Sequence, residues 1–265
     1  MIGSKDSYAL VTGASSGIGY ELAKLFAKDG KNIIVVARSQ DKLEELKTEF
    51  ENEYGTIVRV LVKDLSDPKS PQDIYYELEK DGVNVDVLVN NAGFAVHGKF
   101  AMTDWDKEAE MIQVNITTLT NLTKLFLNKM LEKKSGKILN IASVAGFLPS
   151  PWLSAYGATK SYVLNFSEAL SYEVRGTGVT VTCFCPGNTK TLFWERANAE
   201  DSKAHRRQFM FMDASTVARL GYKALAKGKT TVIAGLPMSL AMMFATRLLP
   251  RGLATKMSGL MLGTG

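Results

Sequence analysis

The stretch Tyr8-Ala-Leu-Val-Thr-Gly-Ala-Ser-Ser-Gly-Ile-Gly19 decides the fold. It passes from a short apolar run, typical of a buried strand, through three spaced glycines into a helical pattern. Glycines allow a tight turn there, and the N–H groups and dipole at the start of the following helix favour a phosphate. A simple tight turn is the alternative, but the position directly after a first strand favours a dinucleotide site. The spacing Gly-x-x-x-Gly-x-Gly differs from the commoner Gly-x-Gly-x-x-Gly.

On either side of this stretch, short β-branched runs alternate with helical patterns, which is typical of β-α-β units. Strands are predicted at residues 8–12, 33–37, 57–62, 85–89, 137–143, 179–185 and 230–234. Helices are predicted to start near Ile18, Asp41 and Pro68, and to cover residues 104–114, 117–133, the segment around Tyr156 and residues 214–227. Because the strands are continuous apolar runs, helices must cover both faces of the sheet. We therefore expect an α/β fold: a single Rossmann-type domain over residues 1–265, with a doubly wound parallel sheet of about seven strands.

Composition narrows the classes of function. The chain has 265 residues, 46% of them apolar and 22% charged, as in ordinary globular domains. Its 32 basic residues are scattered, which favours a solvated surface over a nucleic-acid groove. His97 and His205 are the only histidines, so the sequence does not favour a histidine-rich metal site or a Ser-His-Asp triad.

The two cysteines and the N-terminal region bear on the compartment. Cys183 and Cys185 are expected to be buried free thiols, which suits a reducing compartment. No long apolar segment precedes the first strand, so a signal peptide is not expected and the predicted location is the cytoplasm.

Ser143, Tyr156 and Lys160 form a second informative group. Tyr156 and Lys160 are four residues apart, so on a helix they share one face, and flanking apolar residues at helical spacing leave the pair on a separate stripe. A nearby ammonium favours the phenolate and would bring the tyrosine pKa from about 10 toward neutrality. Ser143 ends a predicted strand, where open α/β sheets bind ligands. Taken alone, the pair could be a surface contact; with Ser143 it predicts proton transfer to an oxygen that gains or loses a hydride.

The end of the second strand bears on the choice of dinucleotide. An acid there would hold a ribose 2′-hydroxyl, whereas an arginine accommodates a 2′-phosphate. The strand ends in Arg38 and Ser39 without an acid, which favours NADP(H), although Arg38 could instead pair with a surface carboxylate. Ser15 and Ser16 could add hydrogen bonds. Asp64, after the third strand, could meet the adenine edge or cap a helix.

In chain order, these motifs resemble the short-chain dehydrogenase/reductase family over about residues 7–234. The matching pieces are Thr12–Gly19, Asp64-Leu65, Asn90-Asn-Ala-Gly93, Asn115, Ser143, Tyr156 with Lys160, and Pro186-Gly187 followed by Thr191. The resemblance implies hydride transfer between a nicotinamide dinucleotide and a carbonyl or alcohol carbon. Thr189 departs from the pattern, since many members carry an apolar residue there; backbone contacts to a cofactor would survive this change.

The resemblance also implies roles. Tyr156 would be the general acid or base, Ser143 would bind the substrate oxygen, Lys160 would lower the tyrosine pKa and hold the nicotinamide ribose, and Asn115 would support a relay water. The cofactor-binding residues expected from the motifs and the resemblance are Gly13, Ser15, Ser16, Gly17, Ile18, Gly19, Arg38, Ser39, Asp64, Leu65, Asn90, Ala92, Gly93, Tyr156, Lys160, Pro186, Gly187, Thr189 and Thr191.

Two segments lie outside the motifs. Residues 188–212 mix charged residues with seven large apolar ones, and we expect a mobile cap beside an apolar substrate pocket. The apolar extension over about residues 236–265 is expected to form a lid or subunit contact. The alternative for residues 238–249, with Arg247, Arg251 and Lys256 nearby, is contact with a membrane surface.

We therefore expect an NADP(H)-dependent oxidoreductase acting on a hydrophobic ketone, aldehyde or acyl compound. A non-catalytic nucleotide sensor or scaffold of the same fold is the alternative. One further helix bears on assembly: residues 117–133 carry an apolar stripe, which could pack on the sheet or support the homodimers or homotetramers that the resemblance implies. Its members are Leu119, Leu122, Leu125, Phe126 and Met130.

Overall fold

A parallel sheet of seven strands runs through the computed structural model, which describes residues 7–206 and 211–263. The first elements in chain order are β1 (Tyr8–Thr12), α1 (Gly17–Lys28), β2 (Asn32–Ala37), α2 (Gln40–Tyr54), β3 (Val58–Val62), α3 (Ser70–Lys80), β4 (Val85–Asn90), α4 (Trp105–Ile112) and α5 (Leu119–Glu132). The remaining elements are β5 (Gly136–Ile141), α6 (Ser154–Glu173), β6 (Val179–Cys185), β7 (Thr189–Lys190), α7 (Phe193–Arg196), β8 (Met212–Asp213), α8 (Ala214–Ala226), β9 (Thr231–Ile233), α9 (Leu236–Arg247) and α10 (Arg251–Leu262).

The strand order is β3-β2-β1-β4-β5-β6-β9, and every neighbouring pair is parallel. The chain moves outward from β1 to β3 and then returns to the other side of β1 with β4. This reversal is the switch point at which open α/β sheets bind ligands. The predicted doubly wound sheet and its seven strands are confirmed.

Helices cover both faces of the sheet, as the alternation along β1 demonstrates. Ala9 and Val11 belong to a core cluster that includes residues of α1 and α8, whereas Leu10 belongs to a second cluster that includes residues of α3, α5 and α6. Successive side chains of a strand point to opposite faces, so one apolar strand contributes to two cores.

The apolar stripe of α5 packs on its own sheet. Leu119, Leu122, Phe126 and Met130 are all buried, the last three in the second core cluster. Internal packing therefore accounts for four of the five residues of the predicted stripe, whereas Leu125 is half-buried. A subunit contact through this helix stays a prediction.

The stripe prediction for α6 was partly wrong. The flanking apolar residues that were expected to share the buried stripe include Ala158, Tyr162 and Ala169, but these three are exposed. Tyr156 and Lys160 are buried instead. Lys160 can occupy the buried face because its ammonium finds an acceptor there, the Ile141 carbonyl at 2.9 Å.

Two predicted helix boundaries also differ. The helix expected at Pro68 begins at Ser70, because residues 65–69 form a turn in which Asp67 accepts a hydrogen bond from the Lys69 N–H. The two helices expected on either side of Asn115 are continuous: residues Gln113–Thr118 form a π-helical turn that joins α4 to α5.

The segment 188–212 leaves the sheet after β6 and returns through β8. β7 pairs with β8, so Thr189 and Lys190 lie beside Met212 and Asp213 and close the base of the segment. Between them stand α7 and a series of turns. The predicted cap residues Phe209 and Met210 lie outside the described residues.

α9 and α10 follow β9 and lie in the apolar extension that begins near residue 236. No helix in the described ranges is long and apolar enough to cross a membrane.

Candidate active site

The predicted site residues assemble at the carboxyl ends of the strands. The glycine loop follows β1, and Arg38 with Ser39 follows β2. Asp64 and Leu65 come after β3, residues 90–93 end β4, Ser143 follows β5, and Pro186 with Gly187 follows β6. Because all six strands are parallel, these residues share one edge of the sheet on both sides of the switch point.

The glycine loop is tied to the segment after β4. The Thr12 hydroxyl accepts hydrogen bonds from the Asn91 and Ala92 N–H groups, each at 3.0 Å, and the Asn91 side chain donates to the Thr12 carbonyl at 2.9 Å. Gly13 has a φ of +66°, and a Cβ there would lie 2.9 Å from the Ala92 Cα. A larger residue would therefore be both strained and obstructed, which explains the glycine.

The start of α1 carries features of a phosphate site. Ser16 precedes the helix, and its side chain does not cap it. The first N–H groups of the helix are therefore left without that acceptor, which suits an anion. Thr191 lies close above the loop, since a Cβ on Gly17 would be 3.0 Å from its Cγ2. Arg196 of α7 donates to the Ser16 hydroxyl at 3.3 Å.

Arg38 is exposed and forms no ion pair among the residues that the structure describes. Asp64 is close enough for the charge of Arg38 to act on it: partial burial opposes the shift, but hydrogen bonds from Ser66 and this charge hold the Asp64 pKa below its usual value. One Asp64 oxygen accepts from the Ser66 N–H and hydroxyl. Asp64 thus stabilises a turn ahead of α3 and does not cap the helix, whose N-cap is Lys69. Its expected contact with the adenine edge stays a prediction.

Tyr156 is almost completely buried, with 7% of its surface exposed. Burial raises the pKa of its phenol to about 12, against the opposing effect of a hydrogen bond with the Ser143 side chain. The serine hydroxyl also accepts from the Ala145 N–H at 3.1 Å, which fixes its orientation. Ser143 and Tyr156 are therefore brought together.

Lys160 lies beside Tyr156, one helical turn away. Its ammonium lies 5.8 Å from the centre of the Tyr156 ring and donates to the Ile141 carbonyl. Burial lowers the pKa of Lys160 to about 8, despite an opposing effect of Cys183 and Cys185. Burial is the main influence on both groups here, and the expected lowering of the phenol pKa by Lys160 stays a prediction.

Asn115 connects the segment after β4 to α6 through side-chain hydrogen bonds. Its side-chain amide donates to the Phe94 carbonyl and to the Thr159 hydroxyl, each at 3.0 Å, and its oxygen accepts from the Phe94 N–H at 3.3 Å. Thr159 in turn donates to the Tyr156 carbonyl at 2.7 Å. Asn115 is thus connected to the backbone of Tyr156, while its role in a water relay stays a prediction.

A buried network of hydrogen-bonded side chains connects the strands and helices beneath the candidate site. The Asn90 amide donates to Thr123 and to Asn140, each at 2.9 Å, and the Asn140 amide donates to Ser167 at 2.9 Å. These hydrogen bonds join β4, β5, α5 and α6 in the interior, where polar contacts favour one arrangement. Asn90 Oδ1 has no hydrogen-bond partner among the described residues. Asn90 thus braces the sheet, while its expected contact with a cofactor stays a prediction.

Comparisons with known proteins agree with this geometry. The family model for the short chain dehydrogenase matches residues 7–202. This chain belongs to the short-chain dehydrogenase family. It is 37% identical to a very-long-chain 3-oxoacyl-CoA reductase of Anas platyrhynchos over 68% of this chain and 59% of that protein. It is 30% identical to 17-beta-hydroxysteroid dehydrogenase type 3 of Rattus norvegicus over 84% of this chain and 75% of that protein.

Solved structures of the family superimpose closely. A short-chain dehydrogenase from Sphingobium yanoikuyae in complex with NADPH matches with a TM-score of 0.82 and 30% identity, over 93% of this chain and 94% of that one. A 7beta-hydroxysteroid dehydrogenase matches with a TM-score of 0.86 and 25% identity, over 96% of each chain. The chain spans only 59% of the reductase from Anas platyrhynchos.

Within the family site, the surroundings of Tyr156 are apolar. The Phe193 ring of α7 lies 5.4 Å from the Tyr156 ring, and Trp194 is buried behind it. These residues form one cluster with Ala95, Leu153 and Phe211. The segment 188–212 therefore folds over the tyrosine, at the position that the sequence predicted for a cap.

Three residues that contribute to the site were not identified from the sequence. Asn91 ties the glycine loop, Thr159 links Asn115 to Tyr156, and Arg196 reaches Ser16 across 180 residues of sequence. Asn91 and Thr159 stand inside the quoted motifs, so their spacing was a usable signal. No such signal existed for Arg196, because its contact with Ser16 depends on how the cap segment folds onto the glycine loop.

Proposed function

We propose that this chain is an NADP(H)-dependent oxidoreductase that interconverts an apolar carbonyl compound and its alcohol. The observation that carries the proposal is the arrangement of Ser143, Tyr156 and Lys160. A phenol hydrogen-bonded to a fixed serine, with a buried lysine one helical turn away, stands at the ligand-binding edge of the sheet.

The residues at the edge fit a phosphorylated dinucleotide. The glycine loop and the uncapped start of α1 suit a pyrophosphate. Arg38 is exposed and forms no ion pair with any described residue, which suits a 2′-phosphate. A Cβ at Gly93 would lie 2.8 Å from the Asn115 oxygen and 3.3 Å from the Lys160 nitrogen, so glycine is what lets the backbone approach both side chains. Bound NADPH would supply the hydride.

In this proposal Ser143 and Tyr156 orient the substrate oxygen by hydrogen bonds. A phenol with a pKa of about 12 is protonated at neutral pH, so Tyr156 is ready to donate a proton to an oxygen that becomes an alcohol. The reverse reaction would need the phenolate, which burial disfavours. Reduction is the direction in which Tyr156 starts from its protonated form.

The substrate class follows from the surroundings of Tyr156. Phe193, Trp194 and Leu153 present aromatic and aliphatic surface and no charge, which favours a hydrophobic ketone, aldehyde or acyl chain. The printed names of the relatives, an acyl-CoA reductase and hydroxysteroid dehydrogenases, point the same way. We propose in addition a cytoplasmic homodimer or homotetramer.

The test is NADPH oxidation in the presence of a panel of hydrophobic ketones, aldehydes and 3-oxoacyl thioesters. With an accepted substrate, Tyr156→Phe should reduce kcat by about 100-fold or more, the usual scale of acid–base catalysis, while NADPH binding stays nearly unchanged. Phenylalanine removes only the hydroxyl, so packing against Phe193 is preserved.

A non-catalytic nucleotide sensor would give a different result. It would bind NADPH, leave every carbonyl compound untouched and show no effect of Tyr156→Phe. Full turnover by the variant would instead remove Tyr156 from the role of proton donor.

A further inference from the structure

The final segment of the chain is strongly and exclusively basic. After Asp213 there are seven lysine or arginine residues and no acidic residue. The preceding 213 residues therefore hold 25 of the 32 basic residues and all 27 acidic ones, a net charge of −2 against +7 for the remainder. A chain with such an asymmetry presents one region suited to an anionic partner.

α10 exposes an apolar stripe within this region. Leu253, Met257, Leu260 and Met261 are 47%, 49%, 63% and 50% exposed. Their spacing of four, three and one residues places them on one face of the helix. Exposed Lys256 stands within the same stretch, and exposed Arg251 begins the helix.

α9 and the residue that follows it also expose apolar and basic side chains. Leu240 and Leu248 are more than half exposed, and Arg247 is exposed beside Leu248. α9 and α10 contact each other. Six exposed apolar side chains thus occur within 22 residues that carry three exposed cations and no anion.

The other face of α10 is anchored to the protein near the active site. Ala254 is buried, Leu262 packs with the Tyr156 cluster, and the Leu262 carbonyl is hydrogen-bonded to His97 Nε2 at 2.9 Å. The helix is therefore partly the lid that the sequence suggested. Its outward stripe, however, is not covered by the described residues.

We propose that the outward face of α9 and α10 docks on an anionic lipid bilayer. We call it the C-terminal face; it consists of Leu240, Leu248, Leu253, Met257, Leu260 and Met261 with Arg247, Arg251 and Lys256. Apolar side chains flanked by lysine and arginine are what an interfacial helix needs, because the former enter the acyl boundary and the latter meet the lipid phosphates. Since α10 is anchored beside Tyr156, docking brings the ligand-binding edge close to the membrane.

A second copy of the chain is the main competing occupant. In a two-fold contact the same patch faces itself, which would bring Arg247, Arg251 and Lys256 toward their own equivalents with no carboxylate between them. Like charges across an interface are unfavourable. The charge pattern thus favours lipid over self-association.

The test is flotation of the full chain with vesicles of phosphatidylcholine, with and without phosphatidylserine. Leu253→Glu with Leu260→Glu should abolish binding to the anionic vesicles. Ile57→Glu with Tyr76→Glu is the matched control, because both residues are at least as exposed, belong to other parts of the chain and add the same charge. Replacing Arg247, Arg251 and Lys256 by glutamine should weaken binding on the order of 100-fold at low salt, at about a factor of five for each cation.

Three results would overturn the proposal. The full chain could fail to float with anionic vesicles, or the Leu253 and Leu260 double variant could float as the control does. Alternatively, sedimentation could show a dimer that the double variant converts to a monomer, which would assign the face to a second copy. Flotation needs neither NADPH nor turnover, so its outcome is independent of the proposed reaction.

Discussion

Lys160 is the residue whose charge depends most on its surroundings. Its ammonium is buried and receives one backbone acceptor, so desolvation brings its pKa down from the ordinary 10.5 to about 8. Lysine loses its charge as pH rises through this value. At neutral pH the Lys160 side chain is therefore cationic. It loses its proton about two pH units below an exposed lysine.

The pH profile of the reduction tests this value. If the cationic form is required, kcat/KM should fall above about pH 8, tenfold for each further pH unit. Lys160→Arg keeps its positive charge over this whole pH range. Even if the variant turns over more slowly, its kcat/KM should not fall above pH 8. A wild-type profile that stays level to pH 10 would show that the charge of Lys160 is not needed.

Arg38 decides the choice of cofactor in this account. Arg38→Asp replaces a partner of the 2′-phosphate by a repelling carboxylate, and a lost charge-assisted hydrogen bond of about 1.5–3 kcal/mol predicts a rise of about 10- to 100-fold in the KM for NADPH. Use of NADH should improve. The control is Arg219→Asp on α8, an exposed arginine whose side chain bonds only Thr216 in the described structure. Equal effects of the two substitutions would remove Arg38 from cofactor selection.

At the scale of elements, the strands could be predicted because their cause is local. β1 and β2 are almost uninterrupted apolar runs, and β6 is apolar apart from Thr180 and Thr182. Such runs in alternation with helices specify a parallel sheet covered on both faces. Once the sheet is parallel, the residues that follow each strand must share one edge. The assembly of the glycine loop, Ser143 and Pro186 at one edge could therefore be predicted as well.

The errors arose where distant parts of the chain decide the outcome. Asn115 continues a helix instead of breaking it, because a π turn lets its side chain bond Phe94 and Thr159, 21 and 44 residues away. The buried stripe of α6 holds Lys160 because Ile141 offers a carbonyl. The tyrosine pKa depends on burial under α7, and no local pattern encodes that contact.

For the whole molecule, elements from the first and last parts of the described chain contribute to the site. The glycine loop stands near the N-terminus, and α10, near the C-terminus, reaches His97 and the Tyr156 cluster. The segment 188–212 lies between them and contacts both Tyr156 and Ser16. The proposed dinucleotide loop, the proposed proton donor and the apolar residues that cover it thus belong to one continuous structure, as hydride transfer would require.

The central claim is hydride transfer to a carbonyl carbon, and isotope transfer tests it most directly. NADPH deuterated at C4 of the nicotinamide, on each face in turn, is incubated with the full chain and an accepted carbonyl substrate, and the alcohol is examined by mass spectrometry and NMR. We predict deuterium on the carbinol carbon from one face only, and almost none with Tyr156→Phe. An alcohol without deuterium from either face, or NADPH consumed without alcohol, would contradict the account.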